Sequence, residues 1–369
     1  MPGLRAAPRR DESGAVAIVI AVLMASVLLG LGAVVLDIGS LYGERRQLQN
    51  GADAGAVAVA QGCAPPAACD SLTSNGGTAG KYAGDNDFHD GKAGIDLVCG
   101  TAPGLGGCPA KQGAWDCVPP PSSGALAGAP YVQVQTSTLT ASGSTLLPPI
   151  LARALSGNSS YNGSTVRACA RASFGAASAL AALPLTVSDC TFIKALPLKP
   201  VPPPVSTPSL YYVHDSTNKG ADACTDPHSG NAIPGGFGYL STTSGQCLAQ
   251  SDTANWFPDS TGNSPPNPCS DADFQALLGT IVDVPIYDNV NGLPGSNGKY
   301  QILGYAGFYF TGYQLGGSFK QKDIVTHTYP CSPPDTCVSG FFTSNPRPRA
   351  GIVGGPPGST GGVVVQISG

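Results

Sequence analysis

"VVLDIGSLYGERRQLQNGADAGAVAVA", residues 34–60, starts as membrane-compatible sequence and finishes as a pattern suited to the surface of a soluble helix. It holds no proline, so nothing in it interrupts one continuous helix. Apolar Ile38, Leu41, Leu48, Ala52, Ala56 and Val59 recur at three-, four- and seven-residue steps, while Glu44, Arg45, Arg46, Gln47, Gln49, Asn50 and Asp53 fill most other positions. That is a helical stripe. Gly39, Gly43, Gly51 and Gly55 run against it, since each glycine costs a helix interior about 1 kcal/mol relative to alanine. A helix that keeps them is expected to have a neighbour close to its backbone.

On the N-terminal side, Gly14–Leu36 is a run of 23 residues without a charge. At about 1.5 Å per residue it reaches roughly 35 Å, enough to cross a hydrocarbon core of about 30 Å with some tilt. A cleaved secretory signal has a shorter apolar region and a small-residue cleavage site, whereas Asp37 follows here. The reading is therefore a cytoplasmic tail (1–13), a transmembrane helix (14–36) and its helical extension (37–62). Arg5, Arg9 and Arg10 precede the run and only Arg45 and Arg46 follow closely, which favours a cytoplasmic N-terminus. Within the run, Ala17, Ala21 and Ala25 recur every fourth residue, and Ser26 and Gly30 form a second small-xxx-small pair. Such spacing lets a second helix approach closely in lipid; the abundance of alanine and glycine in this chain would also produce it.

Composition places the remainder outside the usual soluble enzymes. Of 369 residues only 11% are charged, while 50 glycines and 34 prolines favour turns, loops and strands. A net charge of -4 offers no basic field for nucleic acid. Twelve cysteines, Cys63, Cys69, Cys99, Cys108, Cys117, Cys169, Cys190, Cys224, Cys247, Cys269, Cys331 and Cys337, all lie C-terminal to the apolar run. None forms C-x-x-C and the four histidines are dispersed, so no metal site is expected. An even cysteine count in a loop-rich chain points to disulfides and an oxidising compartment, hence an extracytoplasmic ectodomain. Cys331 and Cys337, with Pro333 and Pro334 between them, are the natural local bridge.

The expected fold class is α+β: a long N-terminal helix followed by a disulfide-rich, strand- and loop-rich ectodomain. Residues 63–124 read as a Cys/Gly/Pro-rich loop region. Residues 125–194 read as a small α+β unit, with a strand at Tyr131–Thr138 where Val132 and Val134 alternate with glutamines, a short helix within 145–157 and a second strand at 165–174. Residues 195–209 form a proline-rich spacer. Residues 210–369 form a β-rich unit built on "TIVDVPIYD", "YQILGYAGFYFTGYQL" and "GGVVVQIS", with Tyr305, Phe308, Tyr309, Phe310 and Tyr313 as its aromatic core and residues 345–362 as an exposed loop. The motifs G-x-S-x-G, H-E-x-x-H and G-x-x-x-x-G-K-[ST] are absent. "DNDFHDG" (85–91) lacks the glycine and glutamate positions of a calcium loop. His214 and Asp215 are adjacent in a strand and so point to opposite faces, poorly placed for a relay. No catalytic residue, metal ligand, cofactor or small-molecule substrate is expected.

The stretch from Glu12 to Ala60 resembles the N-terminal segment of the TadE/TadG-like Flp pilus-assembly proteins. Their pattern is an acidic residue and glycine ahead of the membrane run, then D-x-G-x-x-Y-x-x-[RK]-x-x-L-Q followed by an alanine-rich segment around an aspartate. Asp37, Gly39, Tyr42, Arg45, Leu48, Gln49, Ala52, Asp53 and Ala54 fall on it, with Gly51 and Gly55 where alanine is usual. "VQVQTSTLT" and "STVRACARASFG" are similar to the strand pair that follows in TadG-like proteins, and "IPGGFGYL" and "ILGYAGFYFTGYQLGG" to a cysteine-rich subgroup. The resemblance implies a membrane-anchored, non-catalytic component of Flp/Tad pilus assembly whose partners are membrane lipid and Tad assembly proteins or pilins. Ala17, Ala21, Ala25, Ser26, Gly30, Asp37, Gly39, Gly43, Arg45, Leu48 and Asp53 are the expected helix-packing and assembly positions. Gly14 is not followed by a glutamate at the fifth position, and no D-x-S-x-S motif occurs, so neither prepilin processing nor metal-dependent adhesion is carried over. The alternative is an independent membrane-anchored surface-binding protein or adhesin that uses the helix only as an anchor.

Overall fold

The computed structural model describes residues 13–63, 69, 77–86, 93–110, 117–120, 122–123, 126–140, 142–147, 149, 151, 162–199, 207–214, 224–225, 232–233, 237–243, 245–260, 264–293, 296–343, 345–348, 351–353, 360 and 362–369. The proline-free stretch is one helix, α1 (Ser13–Cys63), 51 residues long. Pro65 and Pro66 follow it in the sequence, and residues preceding proline are pushed out of helical geometry. Among the described residues three short helices follow, α2 (Thr78–Asp85), α3 (Asp189–Lys194) and α4 (Asp271–Gln275). The strands are β1 (Ala93–Gly100), β2 (Tyr131–Thr138), β3 (Arg167–Ala182), β4 (Leu185–Ser188), β5 (Ser209–His214), β6 (Cys224–Thr225), β7 (Ala232–Ile233), β8 (Phe237–Tyr239) and β9 (Ala249–Asp252). They continue with β10 (Trp256–Pro258), β11 (Ile281–Leu293), β12 (Ser296–Gln314), β13 (Lys320–Gln321), β14 (Thr336–Thr343), β15 (Asn345–Pro348), β16 (Gly351–Val353) and β17 (Gly362–Ile367).

Two sheets dominate. The first runs β1-β2-β3-β17-β15, with β9 and β16 also pairing with β3; the second runs β5-β14-β12-β11-β4-β8, with β10 and β13 on β12. Most neighbours are antiparallel, while β15–β17 and β4–β11 are parallel. Strands from both sides of residues 195–209 meet in each sheet: β17 pairs with β3 in the first, and β4 pairs with β11 in the second.

Alternation along the strands builds the layers. Val132, Val134, Ala170, Ala172, Phe174, Val363 and Val365 cover Ala52, Ala56, Val59 and Ala60 of α1. Across the first sheet, Leu180, Ala182 and Val364 meet Tyr287, Tyr300, Ile302 and Tyr305 of the second. The far side of the second sheet holds the aromatic core, where Phe308, Phe310 and Phe342 lie beneath Phe192 of α3 and Phe274 of α4. Phe192 meets Phe342 edge to face with ring centroids 5.2 Å apart. An irregularity between Phe310 and Gly312 resets the alternation, so Tyr313 joins the face of Phe308 and Phe310 while Tyr305 faces the other layer. Tyr309 is only half-buried.

The glutamines of β2 do not simply face water. Gln133 is buried and accepts a hydrogen bond from Nη2 of Arg171 at 3.0 Å, and the same nitrogen donates to the Val118 carbonyl. The Arg171 guanidinium lies 5.0 Å from the Tyr131 ring centroid, and burial pulls its pKa down. The neighbouring bridge Cys117–Cys169 ties the same crossing segment to β3. Further disulfides join Cys63–Cys69, Cys99–Cys108, Cys247–Cys269 and Cys331–Cys337, and Cys190 is also disulfide-bonded.

Two segments read as loops carry regular structure. Residues 63–124 contain α2 and β1, an edge strand whose Asp96 pairs with Arg167 at 3.2 Å. Residues 345–362 supply β15 and β16; Pro346 and Pro348 are tolerated because β15 ends the sheet. The helix read within 145–157 falls mostly outside the described residues, as do Asp215 and residues 87–91 of the "DNDFHDG" segment.

Candidate functional site

The two halves of α1 live in different surroundings. Leu29 is 71% exposed and Leu48 is 1% exposed. All residues from Val16 to Leu29 are exposed, part of an apolar helix long enough to cross a membrane whose first half the described residues leave largely uncovered. The second half is bonded to the first sheet. Thr136 Oγ1 donates to the Leu48 carbonyl at 3.0 Å, and Gln49 Nε2 donates to the Cys169 carbonyl at 3.0 Å and to Asp53 Oδ1 at 2.9 Å. Burial pushes the Asp53 carboxyl up, against the Gln49 hydrogen bond, which lowers it. Leu48 packs among Ala83, Ala93, Val166 and Ala168.

Gly39, Gly43, Gly51 and Gly55 divide in the same way. A Cβ on Gly51 would stand 2.9 Å from the Ala83 carbonyl oxygen, and one on Gly55 would stand 3.4 Å from that of Ala79. These two glycines let α2 cross α1 at backbone distance. A Cβ on Gly39 or Gly43 meets nothing within 4 Å. The close neighbour expected from the sequence is thus α2 for one pair, while the other pair meets none among the described residues.

At about 100° per residue, Ala17, Ala21, Ala25, Gly39 and Gly43 line one side of α1, opposite the side that carries Leu48, Ala52, Gly55 and Val59 into the sheet. Ser26, Gly30 and Asp37 fall on the sheet side. Ser26 Oγ donates to its own helix at the Leu23 carbonyl, 2.8 Å away. Asp37 accepts the backbone N–H of Leu151 on Oδ1 at 3.0 Å and on Oδ2 at 3.3 Å. Arg45 is exposed. The candidate positions therefore do not converge on one point: Ala17, Ala21, Ala25, Gly39 and Gly43 share the outward face, Asp37 holds the β2–β3 connection, and Leu48 packs into the chain's own fold. The Asp37–Leu151 pair was not visible in the sequence, although the apolar "LLPPIL" at 146–151 marked the segment.

Phe308, Phe310 and Tyr313 are fully buried, so they pack the core and do not offer a stacking surface. Among the described residues no group of three or more His, Cys, Asp or Glu is arranged to hold a metal ion. An open cleft of about 690 Å³ lies between residues 181–183, 245–248 and 280–283. Asp273 on its wall is engaged in the capping box of α4 with Ser270.

Residues 14–62 match the family of Flp pilus-assembly TadE/G-like (Tad) proteins, and no family supports the rest of the chain. No curated protein and no solved structure matches the chain. The matched segment is α1 almost from end to end. The match and the uncovered apolar helix fit a membrane-anchored pilus-assembly component.

Proposed function

We propose that this chain is a TadG-like, membrane-anchored component of Flp/Tad pilus assembly that works by contact and not by catalysis. Its N-terminus is cytoplasmic, residues 14–36 span the membrane, and the disulfide-braced sheets stand outside. The outward face of α1, with Ala17, Ala21 and Ala25 in the lipid and Gly39 and Gly43 just beyond it, is the surface that receives helices of the pilus machinery or of pilins.

The observation that carries this reading is the division of the glycines. Gly51 and Gly55 are closed by α2, whereas Gly39 and Gly43, earlier on the same helix, stand open among the described residues. Each costs the helix about 1 kcal/mol relative to alanine, and for the second pair no described residue supplies a return. A helix arriving from outside supplies one through close backbone packing.

The reading is tested by recovering the full-length protein from its native membranes in mild detergent and identifying what accompanies it. Tad assembly proteins or pilins are expected. Recovery of the chain without any of them, from cells that make the pilus, would favour an independent surface-binding protein.

A further inference from the structure

We propose that the outer face of β10, β12 and β11 binds an acidic polysaccharide, with Trp256 as the platform for a sugar ring. Strand register builds the site. Trp256 pairs with Gln301 and Gln301 with Asn289, so these three stand side by side across the strands, and Pro258, Lys299 and Asn291 form the next row. With strands about 4.8 Å apart and alternate residues about 7 Å apart, the array is about 10 Å across and 7 Å deep, room for a sugar ring and its neighbour. It lies on the second sheet, whereas α1 packs on the first, so its binding is separate from the assembly role proposed for that helix.

The array is held from behind and from one side. The intervening residues Phe257, Tyr300, Ile302 and Val290 face the other way and pack toward the first sheet. The turn that leads into β10 is pinned by Asp252, whose Oδ1 accepts the backbone N–H groups of Ala254 and Asn255 at 2.9 and 2.7 Å. Tryptophan is highly buried on average, yet Trp256 is 38% exposed. Leu303, the extra residue of a bulge two positions beyond Gln301, is 48% exposed.

The residue types select the ligand. Pro258, Lys299 and Asn291 are exposed, and Gln301 and Asn289 are half-buried. Among the described residues, the side chains of Gln301, Asn291 and Lys299 have no hydrogen-bond or ion-pair partner. Each amide offers both donors and an acceptor, which suits sugar hydroxyls, while an indole face suits the C–H face of a sugar ring. The Lys299 ammonium is the one charge in the two rows, and no carboxylate belongs to them. That charge suits a glycan bearing carboxylates. A lipid or protein hot spot would call for a contiguous apolar patch, whereas amides surround Trp256 here.

The test mixes the full chain in mild detergent with beads bearing polygalacturonate, alginate, hyaluronate or dextran. Retention on at least one of the three uronate polysaccharides and not on dextran is expected. Trp256→Ala should weaken it about fivefold and Lys299→Gln about threefold, while Lys320→Gln, exposed outside the array, should bind as the unaltered chain does. Each variant is first checked for intact disulfides by unreduced electrophoresis, and Gln301→Ala serves as a second platform variant should Trp256→Ala misfold. No retention on any of the three would overturn the proposal. Retention unchanged by the platform variants would place the contact elsewhere and overturn it as well, and equal retention on dextran would overturn the acidic class of ligand.

Discussion

The Cβ position of Gly51 lies 2.9 Å from the carbonyl oxygen of Ala83, a separation that only a glycine permits where two helix backbones cross. Leu48, one turn earlier, is sealed against the same Ala83. Gly51→Leu is therefore expected to lift α2 off α1 and open the layer beneath it, a cost of about 1–3 kcal/mol or more by overpacking. Gly43→Leu, facing open space, should leave the fold intact. Urea unfolding and limited proteolysis of the two variants in detergent decide it; equal stability of both would remove the basis for distinguishing the two glycine pairs.

The cytoplasmic N-terminus and external sheets proposed above rest on the arginines before the apolar run and on cysteines confined to its C-terminal side. Protease added to intact, wall-stripped cells should digest everything beyond Leu36 and spare the N-terminal tail. Complete protection of the sheets would reverse the topology.

Among the disulfides, loop length sets the expected order of importance. Cys117–Cys169 closes a separation of 52 residues and Cys331–Cys337 one of 6. Chain-entropy reasoning gives about 4 kcal/mol for the first and about 2 kcal/mol for the second. Replacing Cys117 and Cys169 by serine should lower the urea midpoint more than replacing Cys331 and Cys337. The reverse order would show that local packing, and not the cross-link, governs these sites.

Asp323 supplies a pH signature. Its buried carboxylate accepts hydrogen bonds from Ser339 Oγ, from Thr311 Oγ1 at 2.6 Å, and from the backbone N–H groups of Val325 and Thr326 at 2.8 and 2.9 Å. Burial works against its ionisation, yet these donors outweigh burial and hold the carboxyl below its usual range. A depressed carboxyl contributes stability that is complete above its unfolded value of about 3.9 and is lost as pH falls through the folded value. Asp323→Asn should cost about 3 kcal/mol at neutral pH and flatten the acid limb of the stability profile. A variant with an unchanged acid limb would assign the acid sensitivity to other carboxylates.

The helix was the most legible part of the sequence, because its period and the absence of proline act locally. β2, β11, β12 and β17 were also legible, as runs of alternating or β-branched residues, and β3 as far as Phe174; its alanine-rich continuation to Ala182 was not. β1 and β15 were not: Asp96 and the two prolines of "NPRP" break the hydrophobic pattern, and both strands form because they are edges. The same limit applied to the candidate site. Gly39, Gly43, Gly51 and Gly55 gave notice of close neighbours, but the sequence could not tell that Ala79 and Ala83 would take two of them and leave two open to the described residues. That assignment depends on where α2 folds back, which is a tertiary fact.

The most direct measurement of the central claim is co-purification with the Gly39→Leu/Gly43→Leu double variant. Helix propensity favours the change, and a Cβ at either position meets no described residue within 4 Å. If the outward face of α1 receives a partner helix, the variant should reach the membrane with its disulfides intact, yet lose Tad assembly proteins from the detergent pull-down and leave the cells without pili. Normal pili and an unchanged set of partners from a correctly folded double variant would contradict the account, reducing α1 to an anchor.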